Sequence, residues 1–439
     1  MATRTDMPGA LANAVPRRGA LLLATVLAAL LAAPLVAAAP AGGQETVEVS
    51  PAGPVRTVAA AVRQARPGSR IVVRAGVYRE PTIVVDKPVE IVGDRGAVLD
   101  GEGERQIMTV TADGVAVRGL VFRDVGTSFT EDRAAIKVVG ASDCAIEGNR
   151  LEDAFFGIYL ARVSRCRVVG NVLRATQSTE AASGNGIHLW TAEEVTIADN
   201  RVSGHRDGIY FEFVHDSEIR GNVSEGNLRY GLHFMYSDDC HYRRNVFRRN
   251  GAGVAVMYTR HVEMVGNRFE ENWGSAAYGL LLKEIGDARM EGNRFYRNTT
   301  GLVLDGATRP VAIANDFVDN GWALRVDANT QDGRFADNNF VGNTFDVATN
   351  GRQVSSSFTR NFWDAYGGYD LDRDGVGDVP HRPVRLFSML VEQNEPSLIL
   401  LRSVFVGLLD AAERVVPALT PETLADDHPL MRRIARRAP

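Results

Sequence analysis

The chain has 439 residues, 45% of them hydrophobic, and a net charge of −5. That is length enough for two ordinary domains or one long repeat array. Its basic residues are scattered, with one short cluster at Arg432, Arg433, Arg436 and Arg437, which argues against a nucleic-acid partner. The odd count of three cysteines, Cys144, Cys166 and Cys240, excludes both a disulfide framework and a C-x-x-C metal knuckle.

In chain order, the first feature is an export signal over residues 1–41. Arg17 and Arg18 supply a charged start, Leu21 to Ala33 an apolar run, and Ala37, Ala38 and Ala39 a small-residue cleavage site. A retained membrane anchor is the alternative, but the run is short and Pro34 interrupts it. The mature protein is therefore expected in the periplasm or secreted. Residues 54–66 place Val55, Val58, Ala59, Val62 and Arg66 at helical spacing, ended by Pro67–Gly68. The short β-rich runs that follow make this helix suited to cap the open end of a repeat stack.

From Asn149 an asparagine recurs at 171, 200, 222, 245, 267, 293, 315, 338 and 361, mostly every 22 or 23 residues. A glycine series, Gly157, Gly186, Gly208, Gly231, Gly253, Gly279 and Gly301, shares the same insertions at 172–185 and 272–278. Such a period means a solenoid. Apolar residues stand three before and two after each Asn, and the runs alternate with period two over only 3–5 residues. The expected fold is all-β: a right-handed parallel β-helix of about a dozen coils over residues 46–380, by chain length over repeat length. The recurring Asn is expected in a tight turn, left-handed, and bonded to the next Asn in a ladder. The three cysteines fall in an inward column of small residues; buried free thiols suit it, and Cys144 and Cys166, on adjacent coils, could instead pair. Met264 and Met290 occupy an inward column and belong to the core.

The outward columns differ. Two places after each Gly come Tyr159, His188, Tyr210, His233, Ala255 and Leu281; four after come Ala161, Trp190, Glu212, Met235, Met257 and Lys283. Large aromatic, His and Met side chains outside a sheet mark a contact site. His233 and Met235 are neighbours on one strand face, with Met257 one coil on, so an imidazole and two thioethers can converge on a soft ion such as Cu(I). Equally, the inserted loops could cover the methionines, which would then simply pack. His188, His241 and His261 form a second choice of ligands, with Asp239 beneath His261 and His241 beneath Glu263; the alternative there is ion-pair decoration of a sheet.

Asp370, Asp372, Asp374 and Asp378, with Gly375 at the sixth place, match the first half of a calcium loop, although His381 stands where a Glu would complete it. An acidic turn without an ion is the alternative. Residues 381–439 read as a helical segment. Its apolar run, Leu398 to Leu409, is too short to span a bilayer. That run either docks on a membrane protein or caps the solenoid.

The stretches GNGIHLW (184–190), RYGLHFMYS (229–237), GVAVMYTRHVEM (253–264), YGLLLKEI (278–285), NFWDAYGGYDLDRDGVGD (361–378) and LLRSVFVGLLDAAERVVPALTP (400–421) together resemble the NosD family. These are periplasmic maturation proteins of nitrous-oxide reductase. The resemblance implies a non-enzymatic β-helix bound to an ABC transporter, its permease and its ATPase, with membrane contact only through the permease. It further implies that the chain takes copper from a lipoprotein chaperone and helps assemble the reductase's copper–sulfur centre. His233, Met235 and Met257 are its copper candidates because they lie in matching motifs. Two other classes compete. A uronate-polysaccharide lyase or epimerase needs a clustered acid and base, for which the outward columns offer Glu212, Lys283 and Glu284 but no tight carboxylate pair. A metal-free scaffold would use the Met and Tyr side chains as interface anchors.

Overall fold

A computed structural model describes residues 44–128, 130–351, 355–401, 403–416 and 424–435. The signal segment expected over 1–41, and Arg436 and Arg437 of the basic tail, lie outside the described residues. The chain from Gln44 on winds as a parallel β-helix whose three walls are sheets of 14, 12 and 13 strands. We call these the first, second and third sheets. Each coil runs from the first sheet to the third and then the second, as in Ala145–Glu147, Arg150–Glu152 and Phe156–Ser164. The strands pair in parallel with their counterparts one coil away, in register, as Ile146 pairs with Val168 and Leu151 with Leu173.

Period two puts every second residue inside. The aromatic column two places after each Asn becomes a core stack, Phe247, Phe269, Phe295, Phe317, Phe340 and Trp363, with successive ring centroids 4.0–5.7 Å apart. Such contacts contribute about 1 kcal/mol each beyond burial. Met264 and Met290 lie in the core, 2% and 0% exposed.

The asparagine ladder forms as expected. Each Asn Oδ1 accepts from the backbone N–H and Nδ2 of the Asn one coil earlier: Asn222 Oδ1, for example, takes Asn200 N and Nδ2 at 3.0 Å each. Each Nδ2 also donates to a strand carbonyl, which satisfies the amide inside the core. The left-handed residue is not the Asn but the one before it, such as Gly148 (φ 62°), Gly170 (φ 67°) or Arg244 (φ 54°). The Asn itself turns inward, because a buried ladder of amides satisfies more backbone than an exposed turn would. A second ladder, Asn227, Asn250, Asn272, Asn298, Asn320 and Asn343, stands five residues further on in each coil. His205 begins it, its N–H donating to Asn227 Oδ1 at 3.1 Å.

Cys144 and Cys166 are joined in a disulfide across adjacent coils, so of the three cysteines only Cys240 remains a thiol, buried.

The N-terminal helix α1 (Val58–Gln64) is capped by Thr57, whose side chain accepts from Ala60 N. The Glu80 carboxylate also takes Val58 N and Ala59 N at 2.9 Å each, so the first orphan amides are filled. Its buried face is Val58, Ala61, Val62 and Ala65; Arg66 of the expected stripe is exposed.

At the other end, helix α2 (Leu386–Gln393) packs Phe387 and Val391 against Phe345 of the last second-sheet strand. The apolar run beyond it is not one helix: a 3₁₀ turn over Glu395–Leu400 is followed by helix α3 (Val404–Val415). Residues 424–435 then return to the solenoid. Asp426 bridges in parallel to Phe358 and Leu430 to Phe362, adding to the first and third sheets. Asp426 Oδ2 accepts from Asn361 N and Nδ2, both at 3.0 Å, and from Trp363 Nε1 at 3.1 Å. The asparagine ladder thus ends on a fully buried carboxylate supplied 65 residues downstream.

Candidate metal site on the second sheet

The outward columns stand on consecutive second-sheet strands: Phe156–Ser164, Ile187–Glu193, Asp207–His215, Tyr230–Met235, Ala252–Met257 and Tyr278–Lys283. Parallel register makes Met235 and Met257 direct partners, with Glu212 before and Lys283 after them in the same column. Both methionines are half-buried, so two thioether side chains stand in register on adjacent coils. Lys283 is tied to Asp305 at 3.5 Å.

The first outward column is more enclosed than its alternation implies. Tyr159, His188 and Tyr210 stack at 4.4 and 4.7 Å. His233 follows, edge-on to Tyr210 at 5.2 Å and against Tyr230 at 4.7 Å. It is 7% exposed, so rings cover it rather than water. Neither of its ring nitrogens has a hydrogen-bond partner, and Nδ1 lies 3.8 Å from Asp207 Oδ2. Asp207 is fully buried, and Arg229 Nε donates to it at 2.9 Å. Burial alone would raise the Asp207 carboxyl, but the Arg229 hydrogen bond and then His233 outweigh it and hold it below the usual carboxylate range.

His188 is already engaged: its Nδ1 lies 3.0 Å from Asn185 Nδ2, and burial, with Arg206 nearby, pushes it down to about 3. It is a neutral ring at working pH. Above it lies a groove of about 910 Å³ that reaches Trp190, Arg206 and Glu180 of the 172–185 insertion, with His233 and Met235 at its far end. The 272–278 insertion borders a separate hollow of about 600 Å³ against α2.

His241 and His261 are brought elsewhere. His241 is on the first sheet, Nδ1 3.0 Å from Glu263, which also takes Arg243. His261 lies 3.2 Å from Asp239 and 4.0 Å from Asp287. Both rings lie against carboxylates on the outside of the solenoid, away from the methionine pair. Burial pushes the Cys240 thiol up to about 12, so it offers no thiolate.

Among the described residues, one place brings three His, Cys, Asp or Glu ligand atoms within 4.8 Å of one another: Asp370, Asp372 and Asp374. The Asp370 carboxylate there accepts Asp374 N and Gly375 N, and Asp378 accepts Leu371 N at 2.7 Å. Asp378 is thus in the loop but not in the cluster. The same loop is stitched to the returning tail by Gly377 N to Pro429 O and Met431 N to Gly375 O.

Sequence reasoning missed Asp207, Tyr230 and Arg229, which set the surroundings of His233. Their signal was present as an Asp and an Arg one coil apart, at the entry to consecutive strands.

Residues 173–368 match the family described as periplasmic copper-binding protein (NosD). A probable ABC transporter binding protein NosD of Pseudomonas aeruginosa is 32% identical over 365 residues, covering 80% of this chain and 85% of that protein. Its namesake from Stutzerimonas stutzeri is 28% identical over 378 residues, covering 82% and 86%. Among solved structures, the Dettilon tailspike protein overlays with a TM-score of 0.51 at 14% identity, over 72% of this chain and 68% of that one, a likeness of fold alone. With a relative this similar along most of both lengths, the chain belongs to the NosD family of periplasmic copper-binding proteins.

Proposed function

We propose that this chain is a periplasmic accessory protein that receives copper, as Cu(I), and passes it on during assembly of the copper–sulfur centre of nitrous-oxide reductase. The observation that carries the reading is the Met235–Met257 pair, two soft ligands in register on adjacent coils at the surface, with His233 two residues along the same strand face. Thioether sulfur selects Cu(I), and a half-buried pair can release what it holds. His233 completes the set once its ring leaves the aromatic pocket. The chain's own part is binding and positioning, in keeping with relatives described as binding proteins.

The partners in this reading are an ABC transporter, permease and ATPase, a copper-donating lipoprotein and the reductase. Its support is the printed description of both relatives and the exposed apolar surface of the 3₁₀ turn and α3: Ile399 is 90%, Val404 82% and Leu408 64% exposed. This face docks on the permease. Among the described residues no helix is long and apolar enough to cross a membrane. Calcium at Asp370, Asp372, Asp374 and Asp378 steadies the loop that holds the tail.

Competition with a Cu(I) chelator tests the metal reading. The double variant Met235→Leu/Met257→Leu should fold and hold its transporter but lose Cu(I), and cells carrying it should make copper-deficient reductase. Unchanged Cu(I) binding would refute the pair as ligands. Deleting 395–416 across a Gly/Ser bridge, with the tail kept, should abolish co-purification with the transporter. Cutting the chain at Leu386 would not test this, because it also removes Asp426. If chelation of calcium leaves thermal stability unchanged, the acidic loop is only a turn.

A further inference from the structure

Beside the methionine pair runs a feature that copper binding does not use. Towards the end of each second-sheet segment the chain turns a corner on one residue with left-handed backbone, inside the longer strands and just beyond the shorter ones. Along consecutive coils these are Arg162, Thr191, Phe213, Tyr236, Tyr258 and Glu284, with φ between 50° and 57°. Bulky side chains rarely take this conformation, and short polar ones such as Asn suit it better. Three consecutive coils nevertheless place an aromatic ring there. Phe213, Tyr236 and Tyr258 are 42–43% exposed and stack on one another at 5.3 Å and 14°. Most of the other rings in the solenoid stack inside the core or against the sheet; this row stands in solvent.

The row stops at Phe213, because the next corner is Thr191. The free face of Phe213 opens on a hollow of about 340 Å³, lined also by Ser164, Thr191, Ala192, Glu193 and His215. Arg162, at its rim, is placed over the Trp190 ring at 5.7 Å. Carboxylates outnumber cations around the row: Arg162 shares the hollow with Glu193, and Arg165 is near enough to feel Glu193 and Glu194. Glu193, Glu194, Glu212 and Asp216 form no ion pair within 4.0 Å among the described residues, whereas nearby carboxylates do, as Asp143 with Arg165 and Glu218 with Arg220.

We infer that the Phe213–Tyr236–Tyr258 row is a docking surface for a protein segment that presents arginine. A guanidinium in the hollow stacks on Phe213 and meets Glu193, so ring and carboxylate act on the same group. The acidic flank supplies the charge complementarity that steers such a partner, and two residues of the row, Tyr236 and Tyr258, directly follow Met235 and Met257. A flat row of rings tolerates many backbones, which suits a brief contact.

The test uses the full chain in metal-free buffer and a fluorescein-labelled hexa-arginine peptide. Hexa-arginine should bind, and hexa-lysine should bind more weakly. The variant Phe213→Asn/Tyr236→Asn/Tyr258→Asn keeps every carboxylate and suits the left-handed corners, so it should fold with no loss of thermal midpoint yet bind hexa-arginine about tenfold more weakly. Equal binding by this variant, equal binding of hexa-lysine, or no binding by the unaltered chain would overturn the inference. If the triple variant does not fold, Phe213→Asn alone decides by the same criterion. Any of these failures leaves the copper reading standing, since Met235 and Met257 are unchanged throughout.

Discussion

The outer faces of the first and second sheets belong to the same coils and share one backbone, yet they use their side chains in opposite ways. The first face pairs charge from coil to coil: Arg118 reaches Glu90 at 2.6 Å and Glu147 at 2.9 Å, Arg167 reaches Glu147 at 3.1 Å, and His241 and Arg243 share Glu263. The second face stacks rings, leaves two thioethers side by side and holds an imidazole without a hydrogen bond. Surface ion pairs contribute under about 1 kcal/mol each, so the first face adds solubility more than stability. The second face carries soft and aromatic groups, half-buried or covered by one another, in place of paired charge. Side-chain chemistry therefore separates by wall, not by coil.

The largest effect should come from removing the buried anchor of the second face. Asp207→Ala leaves the part-exposed Arg229 and the buried His233 without their carboxylate, and should cost about 2–3 kcal/mol in denaturant unfolding. An effect no larger than that of Glu263→Gln would erase the distinction between the walls. Next, Met235→Leu/Met257→Leu conserves volume, so unfolding should shift by less than about 1.5 kcal/mol, while Cu(I) affinity falls by about 100-fold or more.

Acid should act on the interior and on the second wall. Burial pushes His205 down to about 4 and His188 to about 3. Each is neutral when folded but takes a proton near 6.5 when unfolded. Their contribution to stability is complete above pH 6.5 and is lost as pH falls from there toward 4. For fully buried His205 this amounts to about 2 kcal/mol between pH 7 and pH 5. His205→Asn should remove that slope in thermal melts and lengthen the second ladder by one rung toward Asn227. Imidazole resonances of His188 should stay those of a neutral ring at pH 5, which protonation there would contradict.

The smallest effect belongs to the first face. His241→Gln should change stability by under about 1 kcal/mol and leave Cu(I) binding intact, as equilibrium unfolding and chelator competition would show.

The period was legible because a parallel β-helix repeats its own contacts: an Asn every 22 or 23 residues can only mean the same turn used again. Inward and outward columns followed from alternation, and so did the Met235–Met257 register. The second ladder was equally present, five residues after the first, but its early rungs are Ala154, Thr176 and His205, which break the pattern before it is established. The enclosure of His233 was not legible, because Tyr230 and Asp207 sit at strand entries where alternation says nothing about direction. The corner row was hidden for a similar reason: a left-handed turn sends its side chain off the sheet normal, so Phe213, Tyr236 and Tyr258 belong to no inward or outward column. Asp426 lies beyond a helical excursion, where no repeat points back to the ladder it completes.

That carboxylate has a consequence for how the molecule comes into being. The last rung and the closing edges of two sheets are filled by residues 424–435, more than sixty residues after the coil they complete. A chain emerging amino end first can wind coil upon coil, but its final coil keeps a bare strand edge until those residues arrive. Bare edges recruit strands from other molecules. Arrival of residues 424–435 thus covers two of the edges through which the solenoid could grow onto its neighbours, and a chain cut just before Leu424 would be prone to polymerise although every coil of its body is intact.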